Sequence, residues 1–144
     1  MFHTCPKLQT LNMPSATFAE NTTAQAMFSG CSLLATMDMS SATFAKVTTM
    51  TNAFNNVTSL ANVTLTQIGT AIAAGSGSSA NIVLSTCPLS YTSILNFANW
   101  VRDLTGYSAR TITFKSSAWN ALSAAEQTTI DGILSGKNWN RAIA

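Results

Sequence analysis

The sequence matches itself at a shift of 26 residues, and this repetition constrains its fold more than any other feature. Met1-Phe2 recurs as Met27-Phe28 and as Ala53-Phe54, Cys5 recurs as Cys31 and then Val57, and Leu8 recurs as Leu34 and Leu60. Ser15-Ala16-Thr17-Phe18-Ala19 returns letter for letter as Ser41-Ala42-Thr43-Phe44-Ala45. Within each unit the apolar spacing L-x-x-L-x-L appears as Leu8, Leu11, Met13, then Leu34, Met37, Met39, then Leu60, Val63, Leu65. Side chains alternate across an extended strand, so the spaced apolar residues face inward and the residues between them face out. A unit this short cannot bury its own apolar face and becomes stable only when neighbouring units stack on a shared core.

The spacing is that of the strand-forming core of a leucine-rich repeat. The expected fold is therefore α/β, a solenoid of 26-residue units with short parallel strands near residues 10–13, 36–39, 62–65 and 82–84. Phe2, Phe28 and Phe54 should form one internal ladder, Phe18 and Phe44 a second, and Cys5 should lie over Cys31. Residues in register on parallel strands point the same way, so no bridge is expected between those two cysteines. An odd count, Cys5, Cys31 and Cys87, without C-x-x-C spacing argues against a zinc site or disulfide framework and reads as buried thiols.

After the third strand the period breaks. Gly75-Ser76-Gly77-Ser78-Ser79 reads as a flexible loop, and Thr86-Cys87-Pro88 echoes Thr4-Cys5-Pro6. Lys7, Glu20, Asp38 and Lys46 are the only charges in residues 1–90, whereas residues 91–144 hold the other eight. Ser90 is placed to cap a helix running to about Leu104, with Gly106 ending it, and Thr111-Ile112-Thr113-Phe114 alternates as a strand. Ser123 and Glu126 have the capping-box spacing that opens a second helix through Ile130, Ile133 and Leu134, stopped at Gly136. The expected division is 1–88 for the repeats, in units near 1–26, 27–52 and 53–88, with a helix–strand–helix cap over 89–144.

The repeated phrase M-F-x-x-C-x-x-L-x-x-L-x-M, carried by residues 1–65, resembles the repeats of the BspA-like leucine-rich repeat surface proteins of gut Bacteroidetes and related bacteria. The closing segment, Asp103-Leu104-Thr105-Gly106 and later Gly136-Lys137-Asn138-Trp139, resembles more loosely a C-terminal piece found with such repeats in those bacteria and their phages. The resemblance implies a non-enzymatic, surface-exposed role in adhesion or recognition. The family's export signal and membrane anchor are not found in these residues, which raises a second expectation, a structural virion protein such as a decoration, fibre or tail component.

Charged residues make up 8% of the chain against about 25% in an ordinary soluble domain, and Thr, Ser and Asn replace them. The seven cations are scattered, so no basic stripe exists for a nucleic-acid backbone. No apolar run reaches the length of a membrane span, and MFHTCPKLQT lacks the basic start and apolar stretch of a secretory signal. Triad catalysis needs a well-held histidine, and His3, the only one, lies near the start. No catalytic residue, metal or cofactor is expected.

What remains is the outer face of the strands. Thr10, Asn12, Thr36, Asp38, Asn62 and Thr64 should form a flat neutral surface offering hydroxyls and amides to a protein or glycan. A second surface is expected at Phe2, Leu8, Leu11 and Met13, buried against a preceding part of a longer polypeptide or another subunit, which makes the isolated chain an oligomer or part of a larger assembly. The expected location is extracellular, at a cell surface or in a virion.

Overall fold

The computed structural model describes residues 2–18, 20–44, 46–65 and 81–144. The expected loop at Gly75–Ser79 lies outside the described residues. The architecture is mixed α/β, with short parallel strands in two small sheets. The first sheet contains β1 (Thr10–Asn12), β2 (Thr36–Asp38) and β3 (Asn62–Thr64) in the order β1-β2-β3. Its register repeats the period: Leu11 pairs with Met37 and Met37 with Val63. Isolated parallel bridges at Thr17↔Thr43 and Thr23↔Thr49 extend the same offset beyond the strands.

Apolar side chains at repeated positions fall into columns. Phe2 stacks on Phe28 with ring centroids 5.9 Å apart, Phe28 meets Phe54 at 5.4 Å, and Phe18 stacks on Phe44 at 4.7 Å. These are the two ladders expected from the repeat. Both are finished edge-on from a single helix, α1 (Tyr91–Trp100), whose Phe97 meets Phe54 and whose Trp100 meets Phe44. Threonine explains how a chain with so few charges is held: Thr48 Oγ1 donates to the Thr22 carbonyl and Thr58 Oγ1 to the Ser32 carbonyl, each joining one unit to the unit before it.

The second sheet contains β4 (Ile82–Leu84), β5 (Arg110–Phe114) and β6 (Trp139–Ile143), all parallel, in that order. Helix α2 (Ser116–Asn120) follows β5, and α3 (Ala124–Gly136) packs against α1 and β6. Three expectations are corrected here. The strand at 82–84 exists, but it pairs with β5 and does not extend the first sheet, because α1 packs against β3 instead. The helix capped by Ser90 ends at Trp100, not near Leu104. Val101 is already extended, and the Lys137 ammonium donates to the carbonyls of Ala98, Asn99 and Val101 at 3.0, 2.6 and 3.0 Å, which closes the helix end. The closing segment also holds more than helix–strand–helix, since α2 and β6 add a helix and a strand.

The capping box of α3 forms as expected, with Ser123 and Glu126 satisfying each other's backbone N–H groups. Trp100, Trp119 and Trp139 are all buried, Trp139 donating its indole N–H to the Arg102 carbonyl. Of the three thiols, Cys31 and Cys87 are buried but Cys5 is only half-buried. Among the described residues no helix is long and apolar enough to cross a membrane.

Candidate functional site

Alternation along the three strands of the first sheet decides which residues face out. Leu11, Met37 and Val63, the middle residue of each strand, are buried. Their neighbours Thr10, Asn12, Thr36, Asn62 and Thr64 are exposed, and Asp38 is half-buried. The parallel register then sets two rows side by side, Thr10–Thr36–Asn62 and Asn12–Asp38–Thr64. Neighbours within a row lie about 4.8 Å apart and the rows about 6.6 Å apart, the spacings of adjacent strands and of alternate residues on one strand. All six residues singled out from the sequence are therefore brought onto one surface.

The strip is polar and nearly neutral. Among the described residues, the Thr10, Thr36 and Thr64 hydroxyls and the Asn12 and Asn62 amides make no side-chain hydrogen bond, so their donors and acceptors face solvent unspent. Asp38 is different: its Oδ1 accepts from the Ser40 backbone N–H at 3.0 Å. This carboxylate partly serves the turn that leaves β2, which accounts for its half-burial.

One edge of the strip is closed by side chains that the repeat pattern did not reveal. Ser93 Oγ accepts from the Val63 N–H at 2.8 Å and donates to the Ala61 carbonyl at 2.8 Å, while Asn96 Nδ2 donates to the Val63 carbonyl at 2.7 Å. The Ser90 N–H also reaches the Ala61 carbonyl. Together these groups take the hydrogen bonds that a fourth strand would have made. The only advance signal was the Ser90 cap, which placed the helix but not its partners.

The perturbed titratable groups lie away from the strip. Burial pushes the Cys87 thiol up to about 12 and raises Cys31 as well. Burial also lowers Lys137 at the end of α1, and hydrogen bonds from Thr105 lower Asp103. His3 is exposed in a turn. Among the described residues no three His, Cys, Asp or Glu side chains are grouped to hold a metal ion. The strip's chemistry is thus that of hydroxyl and amide hydrogen bonding. Compared with family models, with curated proteins and with solved structures, the chain matches none of them.

Proposed function

We propose that this chain is a short leucine-rich-repeat-type solenoid acting as a non-enzymatic recognition or adhesion module, binding protein or glycan at a cell surface or outside the cell. The observation that carries this reading is the pair of in-register polar rows, in which, among the described residues, only Asp38 of the six side chains has a hydrogen-bond partner. Such rows match ligands rich in hydroxyls or exposed backbone amides, which trade hydrogen bonds without charge pairing. The likeness of the repeated phrase to the BspA-like family supports the same reading. The half-buried apolar residues of the first unit favour a second one, a structural virion component of a phage infecting gut-type bacteria, in which such a surface would be taken up by assembly.

The test is to screen the chain against immobilised glycans and cell-surface proteins, then repeat with Thr36→Val and Asn62→Leu together. Loss of binding by about tenfold, equivalent to about 1.4 kcal/mol, with an unchanged melting temperature is expected. Binding indifferent to both substitutions, or none above background, would reject the strip as the site. Recovery of the chain with purified phage particles would move the assignment to the virion reading.

A further inference from the structure

Arg110 opens β5, and alternation turns its side chain inward with those of Ile112 and Phe114, leaving 6% of the residue exposed. Its Nε is buried without a hydrogen-bond partner, and among the described residues no carboxylate pairs with the guanidinium. Holding such a charge away from water without a counter-charge is costly. The chain has no acid left to relieve it, because all five are engaged elsewhere. Glu20 pairs with Lys46 and Asp131 with Arg141, Asp38 and Asp103 accept from the Ser40 and Thr105 backbone N–H groups, and Glu126 closes the capping box of α3. The residues outside the described ones contain no Asp or Glu. The Ala144 N–H bonds to the Phe114 carbonyl, which puts the last residue at the far end of β5, about 13 Å from Arg110.

The surroundings of Arg110 are electropositive and held in place. Its register partner on β6 is Trp139, whose indole N–H donates to the Arg102 carbonyl at 2.9 Å. Arg102 repeats the anomaly, since its Nε is also buried without a partner. Asp103, next to it in sequence, accepts from the Thr105 N–H instead. The loop that joins Arg102 to Arg110 is pinned from β6: Asn138 Nδ2 donates to the Leu104 and Tyr107 carbonyls at 3.3 and 2.7 Å, and the Leu104 N–H donates to the Lys137 carbonyl. A ligand here would meet donors already in position, without a cost for ordering them.

We propose that Arg110 is a binding site for the carboxylate of a small acidic ligand, an organic acid or a uronic sugar, at the start of β5. The Nε–H and the adjacent Nη–H of a guanidinium run parallel and meet the two oxygens of a carboxylate in a pair of charge-assisted bonds. One buried cation calls for one negative charge. A phosphate monoester carries nearly two and would leave the excess unbalanced in the same buried place. Arg102 is half-buried and keeps its own access to water, so it strengthens the attraction for an anion without needing a counter-ion. The site belongs to the second sheet and does not depend on what the polar strip of the first sheet binds.

The test follows the melting temperature of the full chain at neutral pH and fixed ionic strength, with sodium glucuronate, sodium acetate, glucose or inorganic phosphate added. Both carboxylates should raise it saturably, glucose should not, and phosphate should need about tenfold higher concentration or more. Arg110→Met removes an unpaired buried charge while keeping most of the volume, so it should melt no lower than the parent in plain buffer and gain nothing from glucuronate. Arg110→Lys keeps the charge but not the fork, and calorimetry should show glucuronate binding weakened by about tenfold or more. A parent chain indifferent to both carboxylates overturns the proposal, and so does a carboxylate response that Arg110→Met retains. Phosphate acting as well as glucuronate overturns it in favour of a phosphate site, and binding of a glutamate-rich peptide where neither small acid binds overturns it in favour of a protein partner. Should Arg110→Met fail to fold, Arg110→Lys decides alone, an unchanged glucuronate affinity overturning the proposal. The strip variant carrying Thr36→Val and Asn62→Leu should respond to glucuronate as the parent does, which separates this site from the strip.

Discussion

At the scale of single residues, the repeat is held by backbone conformations as much as by side chains. Thr4, Gly30 and Asn56, each 26 residues from the next, all have positive φ, at 54°, 77° and 57°. The left-handed conformation costs an ordinary L-residue about 1–2 kcal/mol, least for asparagine among residues with a side chain. A Cβ at Gly30 would also lie 3.2 Å from Thr4 Cγ2 in the unit before it. Gly30→Ala should therefore destabilise the chain by about 1–2 kcal/mol in urea unfolding, and Gly30→Asn by less, as the presence of Asn56 suggests. Cys87 supports a pH prediction. Its thiol is pushed up to about 12 by burial, against 9.0 when exposed. Below 9 both folded and unfolded chains keep the proton. Between 9 and about 12 the unfolded chain sheds it while the folded chain retains it, so stability falls as pH rises. Urea midpoints measured from pH 8 upward should decline above 9, by at most about 1.4 kcal/mol per pH unit from this thiol. Cys87→Ala should flatten that slope.

At the scale of elements, α1 does the work of a strand it does not resemble. Ser93 is buried and bonds both to the Val63 N–H and to the Ala61 carbonyl. Ser93→Ala removes the hydroxyl that accepts from the Val63 N–H, and stranding a buried donor costs about 1–3 kcal/mol. Ser93→Thr, which keeps the hydroxyl, should recover part of that loss, with equilibrium unfolding as the measurement. This arrangement also shows where sequence reading reached its limit. β1, β2 and β3 were legible because three copies of one phrase place Leu11, Met37 and Val63 at equal spacing, and the outward rows follow from alternation alone. The pairing of β4 was not legible, because Ile82-Val83-Leu84 fits the edge of either sheet and only the three-dimensional position of α1 decides between them. β6 escaped notice because Trp139-Asn140-Arg141-Ala142-Ile143 has no clear alternation, and it is held by pairing with β5 and by Arg141, which lies over the Trp119 ring and bonds Asp131. Lys137 gives no local sign of its role, since its three carbonyl acceptors are 36 to 39 residues away.

At the scale of the whole molecule, cover is uneven from one end to the other, and stability should follow it. Each repeated unit touches its neighbours through column contacts and parallel hydrogen bonds, so a unit flanked on both sides opens only by breaking two sets of contacts. The second unit is flanked by the first and third, and the third is held by α1 through Phe97, Ser93 and Asn96. Among the described residues the first has one neighbour and five half-buried apolar residues. Local opening free energies measured by native-state hydrogen exchange should accordingly rise from the first unit to the second. The Phe2 and Thr4 amides, bonded to the Met27 and Ser29 carbonyls, should exchange through local opening, faster than their counterparts at Phe28 and Gly30, bonded to the Ala53 and Asn55 carbonyls. Phe97→Ala should reverse that order of vulnerability. Removing a fully buried aromatic costs about 3–5 kcal/mol, and this ring ends the Phe2–Phe28–Phe54 ladder at its closed side. In that variant the Val63 amide, protected in the parent chain by Ser93, should gain the largest increase in exchange rate, while Phe2 and Thr4 change little. Equal protection across the repeated units in the parent chain would mean that they open as one body.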